Sequence, residues 1–228
     1  MLELIGLGIC LAVVYWFWKK TNLPEYDANA HWAEKPEDRP ASSGASNAEA
    51  VDGADDLRIE NVEQGAVIQL SHIGAGMEDF DVEVLSRHVY RQGECTWYEL
   101  ECDRDGERVW IDMEQDDVLD LAIALRQLQL HELALTHDDL LKMDEAENGF
   151  LTHDGVDYFL EDSDGAVFYR DGEDHSAEEF YYWDFVSKDR QHRIGIEEWR
   201  DGSIDITYSE ALQHDQISVF SLRGQKDA

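Results

Sequence analysis

Glu99 and Glu197 are the residues whose setting could do chemistry. Glu99 stands two positions after Trp97, and Glu197 two positions before Trp199. Residues two apart share one face of a strand, so each pairing puts a carboxylate beside an indole. Paired carboxylates in such surroundings can act as general acid and base. Arg108 and Arg193 lie on the adjoining stretches, however, and a cross-strand ion pair is the simpler expectation for both acids. Trp97, Trp110, Trp183 and Trp199 all fall on predicted strands, where core packing is their ordinary use. Together with Glu99, Asp184 and Glu197 they form the candidate set for a ligand or partner, and no residue is assigned a catalytic role.

Other chemistries fail on spacing. His131-Glu132 opens like a metalloprotease helix, but Leu135 stands where the second histidine must be. Glu101, Asp103, Asp105, Gly106 and Asp112 imitate a calcium loop, yet Arg108 occupies a position such loops give to an aliphatic residue, and Asp105-Gly106 reads as a hairpin turn. Gly74-Ala75-Gly76 is too short to cradle a phosphate, and the Glu78-Asp79 that follows repels one. Asp171, Glu173, Asp174, His175, Glu178 and Glu179 read as a solvated acidic loop. Cys95 and Cys102 share one strand at odd spacing, about 23 Å apart on opposite faces, so no disulfide joins them. No cofactor and no metal site is expected.

The elements that must position these residues are strands. Period-two alternation marks Ala66 to Leu70, Phe80 to Tyr90, Thr96 to Cys102, Arg108 to Met113 and Leu119 to Leu125, although the last also admits a helix over Val118 to Leu130. Thr136 with Asp139 forms a capping box for a short helix whose Leu140, Leu141 and Met143 face inward. Strands resume at Val156 to Leu160, Ala166 to Arg170, Phe180 to Val186, Ile194 to Trp199, Ile204 to Tyr208 and Ile217 to Leu222, with hairpin turns at Asp164-Gly165 and Asp201-Gly202. The fold expected is mainly β: two related antiparallel units in tandem, residues 65–147 and 149–222, joined by the helix. The relation rests on Trp97-Tyr98-Glu99-Leu100 laid over Trp183-Asp184-Phe185-Val186, and Arg108 to Asp112 laid over Arg193 to Glu197.

The Trp97 strand, the Asp105-Gly106-Glu107-Arg108-Val109-Trp110-Ile111 hairpin, and the Tyr182-Trp183-Asp184-Phe185 and Ile194-Gly195-Ile196-Glu197 strands resemble the bacterial family known as domain of unknown function 4178, over residues 65 to 222. Its motifs carry no accepted catalytic role. Members are often encoded beside polyamine-synthesis enzymes and small membrane proteins, so the resemblance implies a cell-envelope or polyamine-linked role.

The N-terminal segment is of another kind. Leu4 to Trp18 is uncharged, and its fifteen residues would span about 22 Å as a helix; counting from Met1 to Lys20 gives twenty, enough for a bilayer core of about 30 Å. Tyr15, Trp16 and Trp18 suit the membrane interface, and Lys19 and Lys20 mark that side as cytoplasmic. A cleaved signal peptide would carry its basic residues before the apolar run, and a lipoprotein reading puts Cys10 in the middle of that run. The expected organisation is a transmembrane anchor at 1–20, an acidic linker at 21–56 holding all three prolines, and a β-rich cytoplasmic domain at 57–228 on the bacterial inner membrane.

Charge narrows the function further. Against 18 Lys and Arg stand 52 Asp and Glu, a net charge of -34, which excludes a nucleic-acid binder. Salt adaptation or solubility explains such a surface without any ligand. The functional expectation is a membrane-anchored, non-enzymatic interaction protein, drawn to a basic protein partner or a polyamine. The alternative is an enzyme using Glu99 or Glu197.

Overall fold

A computed structural model describes residues 57–115 and 118–223. The anchor and linker expected at 1–56, with Tyr15, Trp16, Trp18, Lys19 and Lys20, lie outside the described residues. Among the described residues no helix is long and apolar enough to cross a membrane.

Among the described residues, eleven antiparallel strands and one α-helix make up the body. In chain order they are β1 (Val67–Ile73), β2 (Glu78–Gln92), β3 (Cys95–Arg104), β4 (Glu107–Gln115), β5 (Leu119–Gln127), α1 (His137–Glu145), β6 (Phe150–His153), β7 (Val156–Tyr169), β8 (Ala177–Ser187), β9 (His192–Trp199), β10 (Ile204–Ala211) and β11 (Ile217–Ser221). Two meanders, β2 to β5 and β7 to β10, are joined to each other twice. β5 pairs with β10, and β2 pairs with β7 through Val89↔Tyr169, Tyr90↔Phe168 and Arg91↔Val167. These pairings close a ring of eight strands, β2-β3-β4-β5-β10-β9-β8-β7. β1 extends the outer half of β2, β11 pairs with β1, and β6 extends β7.

Each meander has its own apolar core on the face turned away from the ring. Ile68, Leu70, Val82, Val84, Leu100, Val109, Ile111, Leu121 and Ile123 pack in the first; Tyr158, Tyr181, Trp183, Phe185, Ile194, Ile196 and Ile206 pack in the second. The helix closes the second core. Thr136 Oγ1 accepts from the Asp139 N–H at 3.3 Å while the Thr136 N–H donates to Asp139 Oδ2 at 3.0 Å, and Leu140, Leu141 and Met143 pack inward as the capping box predicts. Gly149 admits this contact, since a Cβ there would lie 2.9 Å from Leu160 Cβ.

The two longest strands serve two interiors, and a bulge in each makes that possible. Along β2, Val84 lies opposite Cys102 and Ser86 opposite Glu101, leaving Leu85 as the extra residue. One extra residue flips the faces, so Val82 and Val84 point into the first core while His88 and Tyr90 point into the ring. Along β7, Leu160 lies opposite Phe185 and Asp162 opposite Asp184, with Glu161 as the extra residue. Tyr158 and Leu160 then belong to the second core, and Ala166 and Phe168 to the ring.

Two readings are corrected. Val118 to Leu130 is strand β5 running into a short turn, not a helix. Asp164-Gly165 is no turn: the two strands expected around it are one, with Asp164 opposite Tyr182 and Gly165 opposite Tyr181, and the bulge at Glu161 had broken the alternation. The hairpin lies instead at Asp154-Gly155, whose φ angles of 50° and 79° match the 51° and 90° of Asp105-Gly106. Both carry the positive φ pair of a type I′ turn. The two meanders follow one another in the chain but are not separate sheets, because they share one ring and β11 returns to pair with β1.

Candidate functional site: the acidic and aromatic interior of the ring

Strands β3 and β4 alternate an aliphatic with an acidic and aromatic face. Leu100 and Cys102, with Val109, Ile111 and Met113, enter the first core, which turns Trp97, Glu99 and Glu101 and Trp110, Asp112 and Glu114 toward the ring. Glu99 stands directly opposite Asp112. Across the ring, β8 contributes Phe180, Tyr182 and Asp184, while β9 contributes Arg193, Gly195, Glu197 and Trp199. Tyr182 faces Glu197 in register, and Asp184 faces Gly195. A Cβ at Gly195 would sit 3.6 Å from Asp184 Oδ1, so the Asp184 carboxylate lies over bare backbone.

Aromatic rings build one part of this interior. Tyr90 and Trp97 stack at 5.4 Å, Tyr182 meets Trp97 edge-on at 6.1 Å, and Phe180 meets Tyr90 edge-on at 5.6 Å. Trp199 adds contacts to Phe180 at 5.1 Å and to Phe168 at 5.7 Å. Trp97 with Tyr182 and Tyr90 with Phe180 join strands that are not neighbours, so these rings meet across the inside of the ring. Each such pair is worth about 0.5–1.5 kcal/mol beyond the area it buries.

Next to the aromatics lie the acids. Tyr90 Oη donates to Glu99 Oε1 at 3.2 Å, and Tyr182 Oη donates to Asp162 Oδ2 at 2.7 Å. Arg193 is the cation facing Asp112 and Asp184, and its Nη2 is ion-paired with Asp120. Of the four carboxylates Glu99, Asp112, Asp184 and Glu197, Asp184 is exposed and the other three are half-buried, so water still reaches this face of the strands. Burial is the first cause of a raised pKa at all four. Neighbouring carboxylates add to it, Asp112 and Glu197 at Glu99, and Asp112 and Asp184 at Glu197. Glu99 goes well above the usual carboxylate range, Asp112 to about 6, Asp184 to about 7 and Glu197 to about 8. Arg193 pulls Asp112 and Asp184 back down. Near neutral pH the cluster therefore holds protons that an entering cation would displace.

The chain matches the family described as Domain of unknown function (DUF4178) over residues 76–214. It belongs to that family. The matched region runs from the turn before β2 to the turn before β11, so all eight ring strands lie within it, whereas β1 and β11 lie outside. The match is narrower by that much than the resemblance drawn over 65 to 222. No curated protein and no solved structure matches the chain.

Within the DUF4178 region the candidate residues divide. Trp97, Glu99, Asp184, Glu197 and Trp199 meet in the ring, and Trp110 flanks it beside the ring of His88 at 6.1 Å. Trp183 does not: it is fully buried in the second core, with Nε1 lacking a hydrogen-bond partner. The superposition of Trp97 on Trp183 pairs the right strands, each the second of its meander, but alignment on the two bulges matches Trp97 with Phe180, so it slips by an odd number of residues and exchanges their faces. The expected ion pairs are also different. Arg108 binds Glu101 at 2.7 Å and Asp103 at 2.9 Å, because register places it opposite Asp103. Arg193 lies opposite Val186 and reaches Asp120, leaving Glu197 to face acids. Asp103 also accepts from the Gly106 N–H at 3.0 Å, so the imitation calcium loop is spent on the hairpin. Sequence reading missed Tyr90, Asp112 and Tyr182 as members of the site. The signal available was aromatic residues spaced by two among acids in Trp97-x-Glu99-x-Glu101 and Trp110-x-Asp112-x-Glu114. A face meant for water has little use for the indoles.

Proposed function

We propose that this chain is a membrane-tethered, non-enzymatic binding protein whose ring takes up an organic cation. The observation that supports this reading is the meeting of Glu99, Asp112, Asp184 and Glu197, close enough to raise one another's pKa, beside the aromatic cluster of Tyr90, Trp97 and Tyr182. Carboxylates neutralise an ammonium group, and aromatic faces attract it further. Among the described residues no three His, Cys, Asp or Glu side chains are arranged to hold a metal ion, which favours an amine over a metal. A polyamine or the lysine-rich segment of a basic protein has this chemistry. Residues 1–20 serve as the anchor and 21–56 as the linker, holding the body on the cytoplasmic side of the bacterial inner membrane and raising its effective concentration near a partner. The two meanders, each with a bulged first strand, are read as products of an internal duplication.

Calorimetric titration of the full chain with spermidine at low and high salt tests the binding. Affinity is expected to fall as salt rises, and about ten-fold in Glu197→Gln. Equal binding by wild type and variant would place any spermidine on the outer surface. A reporter fused after Ala228 and active only when exported should stay dark. The second reading is acid and base catalysis, favoured by the graded proton affinities of Asp112, Asp184 and Glu197 around neutrality. Turnover of an amine substrate that Glu99→Gln abolishes would establish it.

A further inference from the structure

His88 lies inside the ring at one end of the acidic cluster, on the far side of the bulge in β2, and is 2% exposed. Its Nδ1 accepts the backbone N–H of Asp171 at 3.1 Å. That bond requires Nδ1 to be unprotonated, so the proton sits on Nε2, which faces Glu101 Oε2 at 3.5 Å. Asp171 belongs to the segment 170–176 that links β7 to β8. The segment turns through left-handed backbone at Asp171 (φ 54°) and Gly172 (φ 70°), and a Cβ at Gly172 would press on Val89 at 3.3 Å. Tethers elsewhere are weak: Arg91 to Asp174 at 3.7 Å is exposed, the Arg170 guanidinium lies a distant 5.8 Å from the centre of the Phe168 ring, and Ser176 Oγ bonds carbonyls of the segment itself.

We propose that His88 is a proton-operated latch for the segment 170–176, pinning it across the end of the ring when neutral and releasing it when protonated. A protonated Nδ1 becomes a donor and cannot accept the Asp171 N–H. The nearest acceptor for the new proton on that side is Asp171 Oδ1 at 4.0 Å, which the segment reaches only by turning its peptide away. Every element packed on the imidazole bears on the switch. β3 presents Glu101, itself held by Arg108, and in register Glu99; the segment presents Asp171 and Arg170; β4 and β7 present the uncharged rings of Trp110 and Phe168. Burial outweighs the two nearby carboxylates and lowers the His88 pKa below its ordinary 6.5, so the latch is closed at neutral pH and opens in mild acid. The inference is independent of cation binding.

Amide hydrogen exchange of the full chain between pH 7.5 and 5, divided by the intrinsic rate at each pH, tests it. Protection at Asp171 should fall about ten-fold per pH unit below the His88 midpoint, the slope of a one-proton linkage. His88→Asn retains an acceptor where Nδ1 stood and cannot titrate, so its protection should be flat. Flat protection in wild type, or an equal fall in His88→Asn, overturns the latch. Should His88→Asn not fold, the wild-type imidazole is titrated by nuclear magnetic resonance; a midpoint separate from that of the exchange overturns the latch equally.

Discussion

Glu197 faces Tyr182 on one side and the carboxylates of Asp112 and Asp184 nearby, and burial with their repulsion keeps its proton to about pH 8. A carboxyl whose folded pKa lies above its unfolded value stabilises the protein fully below about pH 4.5 and loses that contribution as pH rises through 8. Glu197→Gln removes the titration. At pH 8 the variant should melt higher than wild type, by about 2–4 °C for each kcal/mol of relieved repulsion, and the two should converge near pH 4.5. Arg193→Gln should act in the opposite sense, because Asp112 and Asp184 lose the charge that lowers their pKa values; melting curves at pH 7 to 8 check both.

Single positions in the elements decide which side chains reach the site. Deleting Leu85 would restore simple alternation along β2 and exchange the faces of everything on one side of it, turning His88 and Tyr90 out of the ring. Denaturant unfolding should show a loss of about 4 kcal/mol or more, or no cooperative transition at all. Gly149→Ala places a methyl 2.9 Å from Leu160 Cβ and 3.0 Å from Met143 Sδ, so it should cost about 1–3 kcal/mol by the same measurement. These positions also explain what the sequence could and could not convey. The strands β3 and β4, the capping box at Thr136 and the Asp105-Gly106 hairpin were legible, because each has a local cause in alternation, a hydroxyl three residues before an acid, or a turn pair. A bulge has no such signature: one extra residue looks like noise in a period of two. Without the bulges, Asp164-Gly165 passed for a turn and Asp112 could not be brought to Glu197, since that meeting depends on ring closure rather than on any neighbour in sequence.

Among the described residues, four raised carboxylates outnumber the lowered His88, and the lowered Asp139, Asp189 and Asp201 are ionised folded or unfolded above about pH 5, so the folded chain binds more protons than the unfolded chain across most of the range from pH 5 to 8. Stability should therefore decline on going from pH 5 to pH 8, as differential scanning calorimetry would show. A cation that binds the ring reverses the trend: at a concentration 100 times its Kd it adds about 2.7 kcal/mol. The gain should be larger at pH 8, where fewer protons must leave, than at pH 5.

The ring is sewn shut unevenly. β5 and β10 meet over five residue pairs, β2 and β7 over three, and both seams bring together residues about 80 positions apart. Each meander can zip outward from its own short connections between neighbouring strands at little entropic cost, whereas closing the ring must wait for two finished halves to find each other. The short seam at Val89, Tyr90 and Arg91 should thus be the last to form in folding and the first to part under load. Phe168→Leu, a change of about 1 kcal/mol at that seam, should quicken unfolding in stopped-flow kinetics and leave the refolding rate where it was. A barrel that opens along one line can admit a guest too large for its mouth.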